Sequence, residues 1–347
     1  MLGHDGPTVI RMLERMTNTK ATDIPLDDPK TMQIFSGLES LGISEEDAGG
    51  PVGTLGIPEY GTPFVRQMLA DTRPKTFADL VRIMGLSHGT DVWLNNAQGL
   101  VRSGTVTLSE TIAARDDIMI YLMRKGLEPS LAFRIMEQVR RGRGLTPDEE
   151  AAMRAHNVPE WYIESCKKIS YMFPKAHAVA YAVMAFYIAY YKVHYPVAFY
   201  RTYFSIKADD CDANRFVLGA EGIRQTLQEI EKKGNDATPR ERSIATVFEV
   251  AAEAVARGIH FLPVDLYTSE AREFIQVGET GLRCSYLSLS GIGASAAESI
   301  IQARKERPFT SIDDLRRRAG VSRTVIETLE KHGALGDLPE SDQLSLF

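Results

Sequence analysis

The chain has 347 residues, of which 44% are hydrophobic, 25% charged and 8% aromatic, and its formal net charge is −6. This composition is typical of a globular protein with a sizeable core, and the length predicts two or three domains. The negative charge argues against nucleic-acid binding over the whole surface, although it permits local basic patches.

Cysteine spacing and the distribution of apolar residues exclude several classes of protein. The three cysteines, Cys166, Cys211 and Cys284, form no Cys-x-x-Cys pair, which argues against a structural zinc site or a disulfide framework and fits a reducing cytoplasm. No run of about 18 apolar residues and no signal-peptide pattern occurs. We therefore expect a cytoplasmic location and no membrane partner.

The first 205 residues are mostly helical in pattern. Apolar residues recur at helical spacing over Thr8–Met16, and Asp28-Pro29 has the form of an N-cap followed by proline at the first helical position. A polar stretch, 85–96, is predicted to be a loop. The helical pattern returns over 112–141.

The remainder changes character twice. Residues 176–204 are apolar and aromatic and predict a buried helix, with a second helix beginning near Pro196. Two charged amphipathic helices are predicted over 213–257, a few short strands over 259–287, and short helices over 288–335. The sequence therefore predicts a mainly α fold with a small β-containing segment (α+β).

A glycine-rich turn in the last part of the chain has the pattern of a helix-hairpin-helix motif. The turn Gly291-Ile292-Gly293 joins two predicted short helices, and the amides at the start of the second helix suit a phosphate. Because glycine has no side chain, a DNA backbone can come close. Residues 298–323 contain seven basic and four acidic residues, a local charge of +3. The predicted DNA contacts are Gly291, Gly293, Arg304, Arg316, Arg317 and Arg323; the alternative is a plain helical turn with solvated arginines.

A second motif, Phe173–Tyr181, precedes a predicted helix. Its Lys175 can meet a triphosphate, while His177 and Tyr181 can face a base or sugar. The alternative is a helix start with a core histidine and tyrosine, which these residues alone favour. Arg115 and Arg124 are candidates for phosphate contact within a region whose basic and acidic residues nearly balance.

The last five residues, Gln343–Phe347, are too short to be a core element. Leu344, Leu346 and Phe347 can fill a hydrophobic groove while Gln343 enters a polar pocket. The alternative is a frayed C-terminus. An exposed Leu-x-Leu-Phe favours binding to a partner protein.

Together these pieces resemble the C-terminal part of bacterial replicative DNA polymerase III alpha subunits of the Gram-positive PolC type. The resemblance runs essentially the whole chain. It rests on Leu2–Thr8, Gly56–Thr62, Gly85–Leu94, Arg115–Met119, Tyr171–Tyr181 and the terminal peptide.

The resemblance implies a domain order and a set of partners. It implies a fingers domain (1–205), a helical connector (206–257), a duplex-binding domain with tandem helix-hairpin-helix motifs (258–338) and a clamp-binding tail (339–347). The partners would be dNTP, primer-template DNA, the sliding clamp (beta subunit) and other replisome subunits. The implied nucleotide-binding residues are Ser87, His88, Arg115, Arg124, Tyr171, Phe173, Lys175, His177 and Tyr181. The implied clamp-binding residues are Gln343, Leu344, Leu346 and Phe347.

The family's metal chemistry is not expected within this chain. Family members use Mg²⁺ held by three aspartates, the last of which would lie immediately upstream of Met1. The acidic pairs Asp116-Asp117 and Asp209-Asp210 fall in a fingers motif and in the connector, so we reject them as the catalytic set. The chain is thus expected to hold no catalytic or metal-binding residues, to lack the proofreading portion and to be inactive alone.

Two other functions remain possible from the sequence. The first is a non-enzymatic module that binds DNA and the clamp. The second is a different helix-hairpin-helix protein, such as a repair nuclease or ligase, which would not need the fingers motifs.

Overall fold

The computed structural model describes residues 5–341, which contain seventeen α-helices and three short strands. The helices are α1 (Gly6–Thr17), α2 (Pro29–Gln33), α3 (Pro63–Thr72), α4 (Phe77–His88), α5 (Gln98–Arg102), α6 (Arg115–Arg124), α7 (Pro129–Arg140), α8 (Pro147–Ala155), α9 (Glu160–Lys168), α10 (Lys175–His194), α11 (Pro196–Ile206), α12 (Ala213–Phe216), α13 (Gly219–Glu231), α14 (Pro239–Ala256), α15 (Ala294–Glu306), α16 (Ile312–Ala319) and α17 (Arg323–His332). The strands are β1 (His260–Leu262), β2 (Ile275–Val277) and β3 (Gly281–Arg283). The predicted fold class, mainly α with a small β-containing segment, is confirmed. No helix within residues 5–341 has the length and apolar run that a membrane crossing requires.

The chain divides into two compact units that alternate along the sequence. Of the described residues, the first unit holds 5–6, 21–40 and 51–190. The second holds 7–20, 41–50 and 191–341. The predicted domain boundaries near residues 205, 257 and 338 stay predictions.

Local hydrogen bonds set the start of several helices in the first unit. Asp28 is the N-cap of α2, as predicted, with its carboxylate accepting a backbone N–H at 2.8 Å. At the start of α4, Thr76 accepts the amide hydrogen of Asp79 while the Asp79 carboxylate accepts that of Thr76. Thr146 and Glu149 repeat this reciprocal arrangement at α8. Such caps satisfy amides that have no acceptor within the helix.

The predicted loop over 85–96 is wrong in its first part, because α4 continues to His88. The buried apolar stripe of this helix extends through Leu86, so packing overrides the polar appearance of the sequence. Gly85 makes the packing possible. A Cβ atom there would lie 2.5 Å from the carbonyl oxygen of Ala113, so only glycine lets that segment approach α4.

Aromatic rings fill the core of the first unit. Phe35 lies edge-on to Tyr60, with ring centroids 5.2 Å apart, and stacks parallel to Phe186 of α10 at 6.2 Å. The buried Tyr60 hydroxyl donates a hydrogen bond to the carbonyl oxygen of Leu80 at 2.7 Å. This core fixes α10 to the segment that carries α4.

The second unit is built around Phe204 of α11. Its ring contacts those of Phe216, Phe261 and Phe274, with centroids 5.1–5.7 Å apart. Phe261 lies on β1 of a three-stranded sheet whose order is β1-β3-β2. Strand β3 runs parallel to β1 and antiparallel to β2. The predicted short strands and the helix break before Pro196 are both confirmed.

A buried ion pair in the second unit explains a charged residue in an apolar run. Lys192 of α10 lies 2.6 Å from a carboxylate oxygen of Glu253, and both side chains are fully buried. The Tyr200 hydroxyl donates to the same carboxylate at 2.7 Å, and Arg257 donates to the carbonyl oxygen of Lys192 at 2.8 Å. Buried charges of this kind are tolerated only when they are paired and hydrogen-bonded.

Candidate functional site

Three helix ends meet in the first unit at the predicted nucleotide-binding residues. Helix α4 ends at His88, α6 begins at Arg115 and α10 begins at Lys175. The Arg115 amide donates to the carbonyl oxygen of Phe173 at 3.3 Å, and the Asp116 carboxylate accepts the Lys175 amide hydrogen at 2.9 Å. The starts of α6 and α10 are therefore bonded to each other directly.

Asp117 ties this junction together. Its carboxylate accepts the Ala114 amide hydrogen at 3.0 Å and lies 2.8 Å from the Lys175 ammonium and 3.9 Å from the Arg82 guanidinium. Arg82 also donates to the carbonyl oxygen of Thr111 at 2.8 Å. One carboxylate thus fixes the start of α6 and draws α4 and α10 towards it.

Four predicted residues form a ring cluster beside this junction. The His88 ring lies 4.9 Å from Phe173 and 6.2 Å from Tyr181, while Phe173 lies 5.9 Å from His177. His88 Nε2 is 3.3 Å from the Glu59 carboxylate. Burial lowers the pKa of His88 and Glu59 opposes that effect, so the ring is neutral near pH 7. The cluster offers aromatic faces rather than charge.

Tyr171, Ser87 and Arg124, which are also predicted to bind the nucleotide, do not belong to this ring cluster. Tyr171 is exposed and pairs through its backbone with Thr90, whose amide donates to the carbonyl oxygen of Tyr171 at 2.9 Å. The Ser87 hydroxyl is bonded to its own helix, donating to the carbonyl oxygen of Met84 at 3.0 Å. Arg124 is the last residue of α6, nine residues after Arg115, which corresponds to about 13 Å along a helix axis.

Arg124 and Lys175 nevertheless share a cavity. It has a volume of about 410 Å³ and is also lined by Arg82, Asp117 and a wall of tyrosine and tryptophan rings. Tyr162 in this wall is buried, and its ring stacks on that of Tyr121 with centroids 4.2 Å apart. The cavity therefore combines three basic side chains with aromatic surface.

Sequence reasoning did not identify Arg82, Asp117 or Glu59 as parts of this site. Reading α4 through to His88 would have placed Arg82 on the same helix, six residues before the histidine. The role of Asp117 depends on contacts with residues up to 58 positions away, and no local pattern signals such contacts.

The acidic pairs that could be mistaken for metal ligands are engaged elsewhere. Asp116 and Asp117 make the contacts just described, Asp209 pairs with Arg272 at 2.8 Å, and Asp210 accepts the Ser243 hydroxyl hydrogen at 2.9 Å. Within residues 5–341 no group of three or more histidine, cysteine, aspartate or glutamate side chains is arranged to hold a metal ion. The described residues do not fit a two-metal site.

In the second unit the predicted hairpin turn has the required backbone geometry. Gly291 has a φ of +100°, which favours glycine, and the Ile292 amide donates to the carbonyl oxygen of Leu289 at 3.1 Å. Gly293 is the N-cap of α15, and a Cβ atom there would meet open space. The element before the turn is a single 3₁₀ turn, Tyr286–Ser288, rather than a full helix. The first amides of α15 have no acceptor within their own helix and can bind an anion.

A second turn of the same kind joins α16 to α17. Gly320 ends α16 with a φ of +63°, and the Ser322 hydroxyl accepts the Val325 amide hydrogen at 3.4 Å at the start of α17. Arg323 follows at the first position of α17 with 83% of its side chain exposed, and it pairs with Glu327 at 2.8 Å. Arg316 is exposed, and no described residue pairs with it.

Arg304 and Arg317, both predicted DNA contacts, are engaged within the protein. Only 9% of the Arg304 side chain is exposed, and its guanidinium donates to the carbonyl oxygens of Leu266 and Ser269 and to Glu270. This geometry favours a structural role for Arg304. Arg317 is largely exposed, but one of its nitrogens lies 2.8 Å from Asp314.

Asp314 binds the guanidinium groups of three arginines. It is fully buried and binds Arg307 through both carboxylate oxygens at 2.9 and 3.0 Å, together with Arg317 and Arg318. Burial alone would raise its pKa, but hydrogen bonds from these arginines and from the Thr310 amide hold the pKa well below its usual range. The carboxylate is therefore charged at any physiological pH.

The predicted clamp-binding residues lie outside the described residues, as do Leu2, Gly3 and His4 of the first motif. Pro339 and Glu340, at the start of the predicted tail, accept backbone hydrogen bonds from Ile312 and Asp313.

Two family models match separate parts of the chain. Residues 6–158 match the model of the bacterial DNA polymerase III alpha subunit finger domain, and residues 258–344 match that of a helix-hairpin-helix motif. Helices α4 and α6 of the junction lie within the first match, whereas the start of α10 lies beyond its last residue, 158. Both hairpin turns lie within the second match.

Whole-chain similarity agrees with these matches. The chain is 58% identical over all 347 residues to the PolC-type DNA polymerase III of Caldanaerobacter subterraneus subsp. tengcongensis, of which it covers 25%. Identity is 54% to that of Bacillus subtilis and 52% to that of Listeria monocytogenes, each covered to 24%. The chain spans about a quarter of the length of these curated relatives. Over its whole length the chain is similar to PolC-type DNA polymerase III proteins, and its two parts match the models of a finger domain and of a helix-hairpin-helix motif.

Proposed function

We propose that this chain is the fingers, duplex-binding and clamp-binding part of a replicative DNA-directed DNA polymerase. The observation that carries the proposal is the junction of α4, α6 and α10, where aromatic and basic side chains from distant positions come together. Similarity over the whole chain to PolC-type DNA polymerase III supports the proposal.

The incoming dNTP would bind at this junction. Bases stack on aromatic faces, which His88, Phe173, His177 and Tyr181 offer. Phosphates bind lysine and arginine through charge-assisted hydrogen bonds, and both Lys175 and Arg115 stand at helix N-termini, where the dipole also favours an anion. Arg124 would act further out, at the cavity that it shares with Lys175.

The chemistry itself would depend on residues outside this chain. Mg²⁺ bound by aspartates elsewhere in the complete polymerase would supply the charge neutralisation for phosphoryl transfer. The part proposed for this chain is to position the nucleotide for attack by the primer 3′ hydroxyl, which is a contribution of orientation.

Duplex DNA would meet the two hairpin turns. Gly291 and Gly293 let the backbone come close to the amides of α15, and Arg316 and Arg323 flank the turn before α17. Such contacts position the duplex without reading its sequence. Gln343, Leu344, Leu346 and Phe347 would bind the sliding clamp, alongside other replisome subunits in the cytoplasm.

A crosslinking experiment tests the nucleotide site. The chain, with primer-template DNA, is irradiated with an azido-dATP analogue, and the modified peptides are identified by mass spectrometry. We expect labelling at the His88–Phe173–His177–Tyr181 cluster that unmodified dATP competes away. Labelling that does not respond to competitor would contradict the nucleotide site and favour the non-enzymatic DNA- and clamp-binding module.

Primer extension tests the placement of the metal ligands. With Mg²⁺, dNTPs and primer-template DNA, the chain alone should add no nucleotide. Clear incorporation would show that a metal site lies within this chain and would overturn the assignment.

Two binding measurements test the remaining contacts. Affinity for duplex DNA should fall steeply with salt, because lysine and arginine displace counterions from phosphates. Removing residues 343–347, or replacing Leu346 by alanine, should abolish binding to the sliding clamp and leave DNA binding unchanged. Ser345→Ala is the matched control and should bind the clamp normally.

A further inference from the structure

A tight turn in the first unit holds a glutamate in a backbone conformation that side chains rarely adopt. Glu59 has a φ of +65°, in the left-handed region that glycine occupies at the lowest cost. The Gly61 amide donates to the carbonyl oxygen of Ile57 at 2.9 Å. The Thr54 hydroxyl donates to the carbonyl oxygen of Tyr60 at 2.8 Å. These bonds fix the turn, so the strain at Glu59 is held by its surroundings.

The turn is also anchored to the helix that carries His88. The buried Tyr60 hydroxyl donates to the carbonyl oxygen of Leu80 on α4 at 2.7 Å. His88 is the last residue of the same helix, and its Nε2 lies 3.3 Å from the Glu59 carboxylate. A contact between a carboxylate and a neutral, partly exposed ring adds little to stability, so it does not repay the strain. Glycine would suit the backbone better, and what it would remove is the carboxylate beside His88.

This carboxylate determines which nitrogen of the neutral His88 ring carries the proton. A carboxylate only accepts hydrogen bonds, so Glu59 favours the proton on the nearer nitrogen, Nε2. Phe173 and Tyr181 contact the ring through their faces and edges, and no residue among the described ones donates a hydrogen bond to Nδ1. Nδ1 therefore keeps a free lone pair, on a side chain that is 30% exposed.

The nucleotide proposed to bind at this cluster has one suitable donor that all four dNTPs share. The donors of the base edges pair with the template and differ from base to base. The ionised triphosphate accepts hydrogen bonds rather than donating them. The remaining O–H group is the sugar 3′ hydroxyl, which a dideoxynucleotide lacks.

We infer that Glu59 is a positioning residue that keeps the His88 proton on Nε2, so that Nδ1 accepts a hydrogen bond from the 3′ hydroxyl of the incoming dNTP. This inference rests on the proposed nucleotide site. It gives the cluster a means of selecting dNTPs over chain-terminating dideoxynucleotides.

The first measurement locates the His88 proton without any nucleotide. In the chain labelled with ¹⁵N-histidine, long-range ¹H–¹⁵N spectra at pH 7.5 show which ring nitrogens are protonated, and His88→Leu identifies the signals of His88. The unaltered chain should carry this proton on Nε2. Glu59→Gln, whose amide oxygen still accepts, should keep that form, whereas Glu59→Gly should give a mixture of both tautomers. An unchanged tautomer in Glu59→Gly would overturn the inference.

The second measurement compares two nucleotides in a complete PolC-type polymerase that carries this region. The unaltered enzyme should have a higher kcat/KM for dTTP than for ddTTP. Glu59→Gly should lower kcat/KM for dTTP about two- to tenfold, the effect of one hydrogen bond, and leave that for ddTTP unchanged. Glu59→Gln should retain most of the selectivity.

Arg73→Gly is the matched control for the change of backbone. Arg73 is an exposed residue of the first unit with a φ of +44°, so this variant also replaces a left-handed side chain by glycine. Both glycine variants should unfold at or above the melting temperature of the unaltered chain, because the strain is relieved. Only Glu59→Gly should alter the His88 tautomer and the nucleotide selectivity. A lower melting temperature for Glu59→Gly with unchanged selectivity would make Glu59 structural and overturn the inference.

The outcomes separate this inference from the proposal on which it rests. If His88→Leu and Lys175→Met both leave kcat/KM for dTTP unchanged, the nucleotide site and the role of Glu59 are overturned together. If those two changes lower kcat/KM while Glu59→Gly affects dTTP and ddTTP equally, or affects neither, only the role of Glu59 is overturned.

Discussion

An aspartate organises basic side chains in each unit, but the two acids differ in their burial and in the number of cations that they bind. In the first unit Asp117 holds Lys175, whose side chain remains 44% exposed. In the second unit Asp314 is fully buried and binds three arginines. The first arrangement orients one cation beside a cavity, whereas the second binds three cations to one buried acid, although Arg307 and Arg317 keep 49% and 68% of their side chains exposed.

The comparison shows why a charge count over a segment overestimates its capacity to bind phosphate. The stretch 298–323 has a sequence charge of +3, yet, of its six arginines, three are already bonded to Asp314 and Arg304 is bonded to backbone carbonyl oxygens. The exposed arginines beside the second hairpin turn that Asp314 does not bind are Arg316 and Arg323. Phosphate binding depends on these exposed groups rather than on the total.

The largest expected effect concerns the buried acid. Asp314→Asn leaves three guanidinium groups around an uncharged amide, and the free energy of unfolding of the second unit should fall by about 3–5 kcal/mol. Asp313→Asn, one residue away and exposed, is the control and should cost less than about 1 kcal/mol. Urea unfolding of the two variants measures the difference, and equal stability would contradict the contrast between the two aspartates.

For Lys175 we expect the opposite pattern, a large effect on nucleotide binding and a small effect on the free energy of unfolding. In a complete PolC-type polymerase carrying this region, Lys175→Met should raise the KM for dNTP about 10- to 100-fold, because it removes a charge-assisted contact to phosphate. Its effect on the free energy of unfolding should stay below about 1 kcal/mol, since the pair with Asp117 is partly exposed. Lys168→Met, at the exposed end of α9, is the matched control. A large loss of stability with an unchanged KM would reverse the assignment of Lys175.

Two arginines of the second unit test the same distinction within one region. Arg304→Ala should lower the free energy of unfolding by about 1–3 kcal/mol, because buried carbonyl oxygens lose their donors, with little change in the salt dependence of DNA binding. Arg316→Ala should leave stability unchanged and reduce the salt slope of DNA binding by about 1. Fluorescence titrations of a labelled duplex between low and high salt give the slopes. A reduced slope for Arg304→Ala with no loss of stability would place that arginine on DNA.

The smallest effect is a pH dependence at the second hairpin region. The Val264 amide donates to His332 Nε2 at 2.9 Å and Nδ1 lies 2.7 Å from the Asn214 side-chain oxygen, an arrangement that requires a neutral ring. Burial lowers the pKa of His332, against the opposing effect of Asp212. The stabilising contribution of the neutral His332 ring is therefore fully present above about pH 6.5, the pKa of a histidine in the unfolded chain. It is lost as the pH falls from there towards the lower pKa of His332 in the folded chain.

His332→Gln isolates this contribution from those of other histidines. When the pH is lowered from 7.5 to 5.5, the melting temperature of the unaltered chain should fall by more than that of the variant. Equal losses would show that His332 titrates alike in the folded and unfolded chain.

The sequence predicted the elements whose signals are local. Proline and capping residues marked the starts of α2 and α11, and the aromatic run indicated the buried α10. The end of α4 was missed because the fit of Gly85 against Ala113 is a tertiary contact. For the same reason, the pattern identified Lys175 as a candidate but not the acid that orients it.

The Asp116 cap of α10 has a consequence for the order of folding. The acceptor for the first amide of this helix comes from a residue 59 positions earlier, on α6. Until α6 has docked, the start of α10 lacks that acceptor, so the junction is completed late and opens early. In hydrogen-exchange measurements the Lys175 amide should lose its protection together with the contacts of α6, ahead of the middle of α10.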